Sequence, residues 1–96
     1  MTVEVRELWL EVLWRFRQEG WPDTTLRLWI EPGWPEEIQD RRLVVSYPEK
    51  LFAWTAKRYR VFIGEIVRDV RPDLLGIRIK KQPLRRLNAA VGGNDG

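Results

Sequence analysis

The chain contains no histidine and no cysteine. Without thiols no disulfide can staple the fold, so a hydrophobic core must hold it. Without imidazole or thiolate, the commonest metal ligands and the commonest acid–base groups near neutral pH are missing. A nucleophile would have to be a Ser or Thr activated by Lys or Asp. Ser46 is the only serine, and it falls on an expected strand with no such neighbour. No glycine-rich phosphate loop is present, because Gly92-Gly93 precedes neither Lys-Ser/Thr nor a helix. The acids are scattered, and the adjacent pair Glu36-Glu37 points its carboxylates apart on an extended chain. No apolar run approaches the roughly 20 residues needed to span a bilayer. Glu4, Glu7 and Glu11 interrupt the apolar residues of the N-terminal segment, which excludes a signal peptide there and makes a cytoplasmic location the expectation. Together these absences point to a non-enzymatic protein with neither metal nor cofactor.

What is present is aromatic and charged. The 96 residues make one domain, 44% apolar and with six tryptophans, enough for a small core. The net charge of +3 conceals a polarity: residues 1–40 carry −5 and residues 41–96 carry +8. An acidic half followed by a basic half suggests two kinds of contact surface, although solvated faces account for any single charge.

Residues 3–19 have the pattern of an amphipathic helix. Thr2 suits its N-cap, and Val5, Leu8, Trp9, Val12, Leu13 and Phe16 form one stripe. Gly20 and Pro22 end it. Asp23 is expected to cap a second, short helix reaching about Ile30, with Leu26, Trp29 and Ile30 inward and Pro32-Gly33 as its stop. Gly33-Trp34-Pro35 is expected as a loop with an exposed Trp. A hairpin follows, with a first strand over 36–39, a turn at Asp40-Arg41 and a second strand over 42–47. In the second strand Leu43, Val45 and Tyr47 alternate with Arg42, Val44 and Ser46. Pro48 opens a third helix to about Val70, whose inner stripe is Phe52, Thr55 or Ala56, Tyr59, Phe62, Ile63, Ile66, Val67 and Val70. A last strand over 75–80 sets Leu75, Ile77 and Ile79 against Gly76, Arg78 and Lys80. Residues 1–82 form the expected module, and 83–96 a flexible tail or the start of a linker. The order α-α-β-β-α-β places the chain in the α+β class, a three-stranded sheet covered by helices.

Three surfaces stand out. Leu10 and Trp14 lie off the inner stripe of the first helix, beside Arg6 and Arg17, as an apolar ridge suited to a partner helix or a second copy. The alternative is that the third helix or the C-terminal segment covers it. Lys50, Trp54, Lys57, Arg58 and Val61 lie opposite the third helix's stripe, and basic residues around an aromatic suit single-stranded nucleic acid. The alternative is a plain surface with Trp54 packed on the hairpin. Lys80, Lys81, Arg85 and Arg86 add a second basic cluster, which a soluble tail explains equally well.

The series Leu8-Trp9, Leu26, Leu28-Trp29-Ile30-x-Pro32, Leu43-x-Val45-x-x-Pro48, Leu51-Phe52-x-Trp54 and Arg58-Tyr59 resembles the N-terminal domain (domain I) of DnaA, the bacterial chromosomal replication initiator. The resemblance spans about residues 7–80. It implies a KH-like domain that self-associates, helps recruit the replicative helicase, receives replication regulators and touches single-stranded DNA weakly. By that resemblance Trp9 corresponds to a self-association position and Leu51 to a helicase-contact position. Trp54 and Arg58 match positions that meet partners or single-stranded DNA. Thr25 stands where the best-known members carry an acid tied to helicase contact, so that contact is either weakened or moved to Asp23. The Gly-x-x-Gly loop of KH domains is absent, as it is in the family, and no ATPase or helix-turn-helix domain is present. An excised domain and a stand-alone relative both fit. Nucleic-acid binding is the second functional reading, and a small enzyme or a toxin-type nuclease the third.

Overall fold

The computed structural model describes residues 2–82; the expected tail over 83–96, with Arg85 and Arg86, lies outside the described residues. Helix α1 (Val3–Gln18) begins as its sequence asks. The Thr2 hydroxyl accepts the Val5 N–H at 3.2 Å, a cap that contributes about 1 kcal/mol by satisfying an otherwise orphaned amide. The expected stripe is the buried one, from Val5 to Phe16. Each such side chain removed from water contributes about 1.5–3 kcal/mol before conformational entropy is subtracted. Gly20, at φ +86, turns the chain. Trp21 then lies across Phe16 edge-to-face, with ring centroids 5.2 Å apart.

The second helix differs from expectation. It opens as α2 (Asp23–Thr25) and widens into a π-helical turn over Leu26–Ile30, in which the Glu31 N–H reaches the Leu26 carbonyl at 2.7 Å. Asp23 does not cap it. Pro22 holds the cap position with no side-chain hydrogen bond, and Asp23 is the first helical residue, where the positive end of the helix favours its charge. Leu26 and Ile30 are buried, while Trp29 is half-buried against the core.

Strand β1 (Trp34–Gln39) begins two residues earlier than expected, so Trp34-Pro35 belongs to the sheet and not to a loop. A bulge between Pro35 and Glu37 absorbs the irregularity. Asp40 and Arg41 both adopt positive φ, at 52° and 61°, the backbone sense that a two-residue hairpin turn needs to match strand twist. Arg41 is anchored there: its carbonyl accepts the Leu75 N–H at 2.6 Å and its Nε donates to the Asp73 carbonyl at 3.2 Å. Strand β2 (Arg42–Tyr47) is central. It pairs antiparallel with β1 and parallel with β3 (Gly76–Lys81), giving a mixed three-stranded sheet.

Leu43, Val45 and Tyr47 face the helices and join the core. Val44 and Ser46, expected on a solvent face, are also buried. Flanking strands roof them with polar side chains: the Ser46 hydroxyl donates to Glu36 Oε2 at 2.7 Å, and Arg78 Nη1 donates to Gln39 Oε1 at 3.2 Å across β2.

The single third helix becomes two, α3 (Glu49–Arg58) and α4 (Arg60–Val70), joined at Tyr59 with φ −113 and ψ −8. Nothing in Lys57-Arg58-Tyr59-Arg60 announces the break, since neither Pro nor Gly is present. Tertiary packing accounts for it. Tyr59 lies against Trp21, with centroids 6.2 Å apart, and α4 is redirected onto β3. There a Cβ on Gly64 would sit 3.6 Å from Ile77 Cγ2. Ile63, Ile66 and Val67 are buried as expected, but Phe62 is exposed and meets Trp21 edge-to-face at 5.2 Å. Just before the last strand Leu74, not Leu75, enters the core. Gly76, at φ +143, follows the pair as the first residue of the strand. Helices α1, α3 and α4 all pack on one side of the sheet.

Candidate functional site

The α1 ridge is open. Leu10 and Trp14 are 53% and 52% exposed, so among the described residues neither α3 nor α4 covers them. Helical spacing places Val3 on the same face. Beside it Val3 and Arg6 of α1 and Trp34 of β1 help line a depression of about 450 Å³. Trp9 does not share the ridge. It is 4% exposed within the core, because its position belongs to the inner stripe. It therefore offers a second copy no surface, and any effect it has on association passes through the setting of α1.

A second surface is built where α3 meets the π-helical turn. The Thr55 hydroxyl, buried on the inner side of α3, donates to the Trp29 carbonyl at 3.0 Å. That bond fixes the two elements side by side. Trp29 and Trp54 consequently approach with ring centroids 6.0 Å apart and tilted by 43°. The Arg58 guanidinium, one helical turn after Trp54, lies 4.8 Å from its ring centroid, a cation–π arrangement worth about 0.5–1 kcal/mol at an exposed site. Trp54 remains 45% exposed despite both neighbours. Lys50 and Lys57 are exposed on the same helix, and Leu51 is half-buried against the core. Thr25 is half-buried one turn before Trp29, while Asp23 is exposed and paired with Arg27 at 3.5 Å. Trp54 and Arg58 are thus brought together with Trp29, while Trp9 and the Leu10/Trp14 ridge belong to α1.

Two contributions were not anticipated. Leu28 is exposed beside Trp29; the residue sits in the quoted series, but helical periodicity gave no means of foreseeing a π-helical turn. Arg42 and Arg60 converge with Ile77 on a groove along β3, because the break at Tyr59 brings the start of α4 beside that strand. Lys81 of the second basic cluster lies with its Nζ 5.9 Å from the Phe52 centroid.

Burial and ion pairing perturb Tyr47, Arg71 and Asp73, all at structural positions. Burial pushes the Tyr47 phenol well above its ordinary value. Arg71, hydrogen-bonded to Asp73 and Glu4, is raised, and it holds the Asp73 carboxyl below the usual carboxylate range. Among the described residues no group of three or more acids could hold a metal ion, and no helix is long and apolar enough to cross a membrane. No protein-family model matches the chain, and no curated protein matches it.

Proposed function

We propose that this chain is a protein-interaction module of replication initiation, of the DnaA domain-I kind and with a KH-like arrangement of its elements. In this reading it self-associates weakly through α1 and presents the Trp29–Trp54 surface to the replicative helicase or to replication regulators. The residue series from Leu8 to Tyr59 supports the assignment to that family. The observation that carries the functional reading is the tryptophan pair. Trp54 stands half-exposed on Trp29 with Arg58 stacked against it, and Leu28, next to Trp29 in sequence, is exposed as well. An ordered aromatic–Arg patch of this kind has the composition of an interface hot spot, in which rigid rings supply buried area at small entropic cost. Leu51 precedes Trp54 by about one turn of α3 and Thr25 precedes Trp29 by about one turn, while the Asp23 carboxylate is paired with Arg27.

The test is capture of purified replicative helicase by the domain, wild type against Trp54→Ala. A loss of about 2 kcal/mol or more, near thirtyfold in Kd, is the expectation for a central aromatic anchor. Equal binding by both proteins, or none by either, rejects the reading. For self-association the measurement is sedimentation velocity over a concentration series. Trp14→Ala should remove the concentration dependence of the wild type.

A second reading, single-stranded DNA binding, is favoured by Lys50, Lys57 and Arg58 around the same exposed ring. Titration of a labelled oligonucleotide at two salt concentrations decides it, because phosphate contacts impose a steep salt dependence.

A further inference from the structure

Among the described residues strand β3 forms one edge of the sheet, since the strand order is β1-β2-β3. The Gln82 N–H donates to the Tyr47 carbonyl at 2.9 Å. Backbone groups alternate sides along a strand, so Arg78 and Lys80 also face β2, while Ile79 and Lys81 present N–H and C=O groups outward; at Ile77 the backbone is covered by α4, where a Cβ on Gly64 would lie 3.7 Å from its nitrogen. Two adjoining depressions of about 350 and 470 Å³ run along this edge, sharing Arg42, Arg60 and Ile77. Their apolar floor comes from Val61, Ile77 and Ile79, and Arg68 and Arg78 complete a set of four guanidiniums. Among the described residues no carboxylate lines either depression. Arg42, Arg60 and Arg68 make no ion pair or hydrogen bond to another side chain among the described residues.

We infer that this groove binds an acidic, extended peptide segment of a partner protein, which adds to β3 as a fourth strand. Its backbone pairs with Ile79 and Lys81, its apolar side chains meet the isoleucine floor, and its carboxylates reach Arg42, Arg60 and Arg68. Strand addition of this kind draws affinity from main-chain bonds and selectivity from alternate side chains. Charge argues for the occupant. Pairing β3 with its own copy would oppose Arg78, Lys80 and Lys81 to like charges, the usual way an edge is protected from itself. The other edge, β1, is acidic at Glu36 and Glu37, but Pro35 lacks an N–H and the strand is bulged beside it, so a second copy's β1 fits poorly. Nucleic acid would want an exposed ring to stack on. Trp54 does not line the groove, and Phe52, the one ring among the described residues that does, is half-buried under Lys81. The inference goes beyond the proposed function and uses neither the α1 ridge nor the tryptophan pair.

The test uses the full chain and a synthetic peptide alternating Glu with Val, with a Lys/Val peptide and an oligothymidylate of matched charge as comparators. The Glu/Val peptide should bind with an affinity that falls as salt rises, and the Lys/Val peptide should not bind. Bound peptide should slow amide hydrogen exchange at Ile79 and Lys81 while leaving Arg78 and Lys80 unchanged. Arg42→Glu with Arg60→Glu should weaken binding by about tenfold or more. Both side chains are exposed, and Glu at the first position of α4 suits the helix dipole, so the fold is retained. Trp14→Ala and Trp54→Ala should leave peptide affinity as it was. The inference is overturned by absent peptide binding at low salt or by an unchanged affinity after the double charge reversal. Tighter oligothymidylate binding without protection of the edge amides would make the groove a nucleic-acid surface. Protection that rises with protein concentration alone would assign it to a second copy.

Discussion

Replacing Tyr47 by Phe should expose how the central strand holds the π-helical turn. Tyr47 is fully buried, and its hydroxyl donates to the Ile30 carbonyl at 2.7 Å. That carbonyl also accepts the Gly33 N–H at 3.2 Å, so removing the hydroxyl leaves it with one partner and not stranded. The loss therefore belongs near the net value of one hydrogen bond, about 1 kcal/mol, and not at the 1–3 kcal/mol of an orphaned buried group. For a domain of this size that corresponds to a fall in Tm of roughly 4–8 °C.

The pH dependence supplies a sharper arm. Burial raises the phenol in the folded state above its ordinary 10.0. Below that value the unfolded phenol is also protonated, and the stability is fully present. Above it the unfolded chain releases a proton that the folded chain keeps, so stability falls by about 1.4 kcal/mol per pH unit. A phenylalanine ring in its place has no proton to release. The deficit of Tyr47→Phe should thus shrink above that ordinary value and vanish at about pH 11. Urea denaturation of both proteins from neutral to strongly alkaline pH, at constant m, measures the gap. A gap that stays constant through the alkaline range would refute the burial argument. A gap of about 3 kcal/mol at neutral pH would refute the shared-acceptor argument.

Other substitutions probe separate links. Gly33→Ala would put a Cβ 2.6 Å from Tyr47 Cζ and 2.7 Å from Val45 Cγ1; overpacking at this rigid site should cost about 1–3 kcal/mol in thermal or chemical denaturation. Trp9→Ala should cost about 3–5 kcal/mol by emptying a core position. Trp14→Ala should leave denaturation nearly unchanged and alter only association in the ultracentrifuge. Asp73→Asn removes a carboxylate that Arg71 holds below its ordinary value of 3.8. The stability this contributes is present above that value and is lost as pH falls through the lowered one, so wild-type and variant denaturation profiles should converge in acid.

Periodicity made α1 legible down to its cap, because the segregation of apolar from polar residues around one helix is a local property. Thr2, the buried stripe and the Leu10/Trp14 ridge all follow from it. The hairpin turn at Asp40-Arg41 was legible from the strands on either side, although neither residue is the glycine or asparagine that usually marks such a turn. The left-handed backbone there is held by bonds from Arg41 to Asp73 and Leu75, partners more than thirty positions away in sequence. For β2 the alternation told which face meets the helices. It was silent on Val44 and Ser46, whose burial depends on side chains contributed by the strands on both sides.

By itself, then, the sequence determined which residues must leave water and where regular structure begins, since hydrophobic spacing and caps act within a few residues. It also determined that any chemistry here must do without imidazole and thiol. Tertiary structure alone decided the break at Tyr59, the π-helical turn and the meeting of Trp29 with Trp54. Each of these minimises the free energy of packing between elements, and no local segment carries that term. The arginine groove has the same origin: Arg42, Arg60 and Arg68 come from two elements, and only the docking of α4 on β3 places them along one edge of the described sheet.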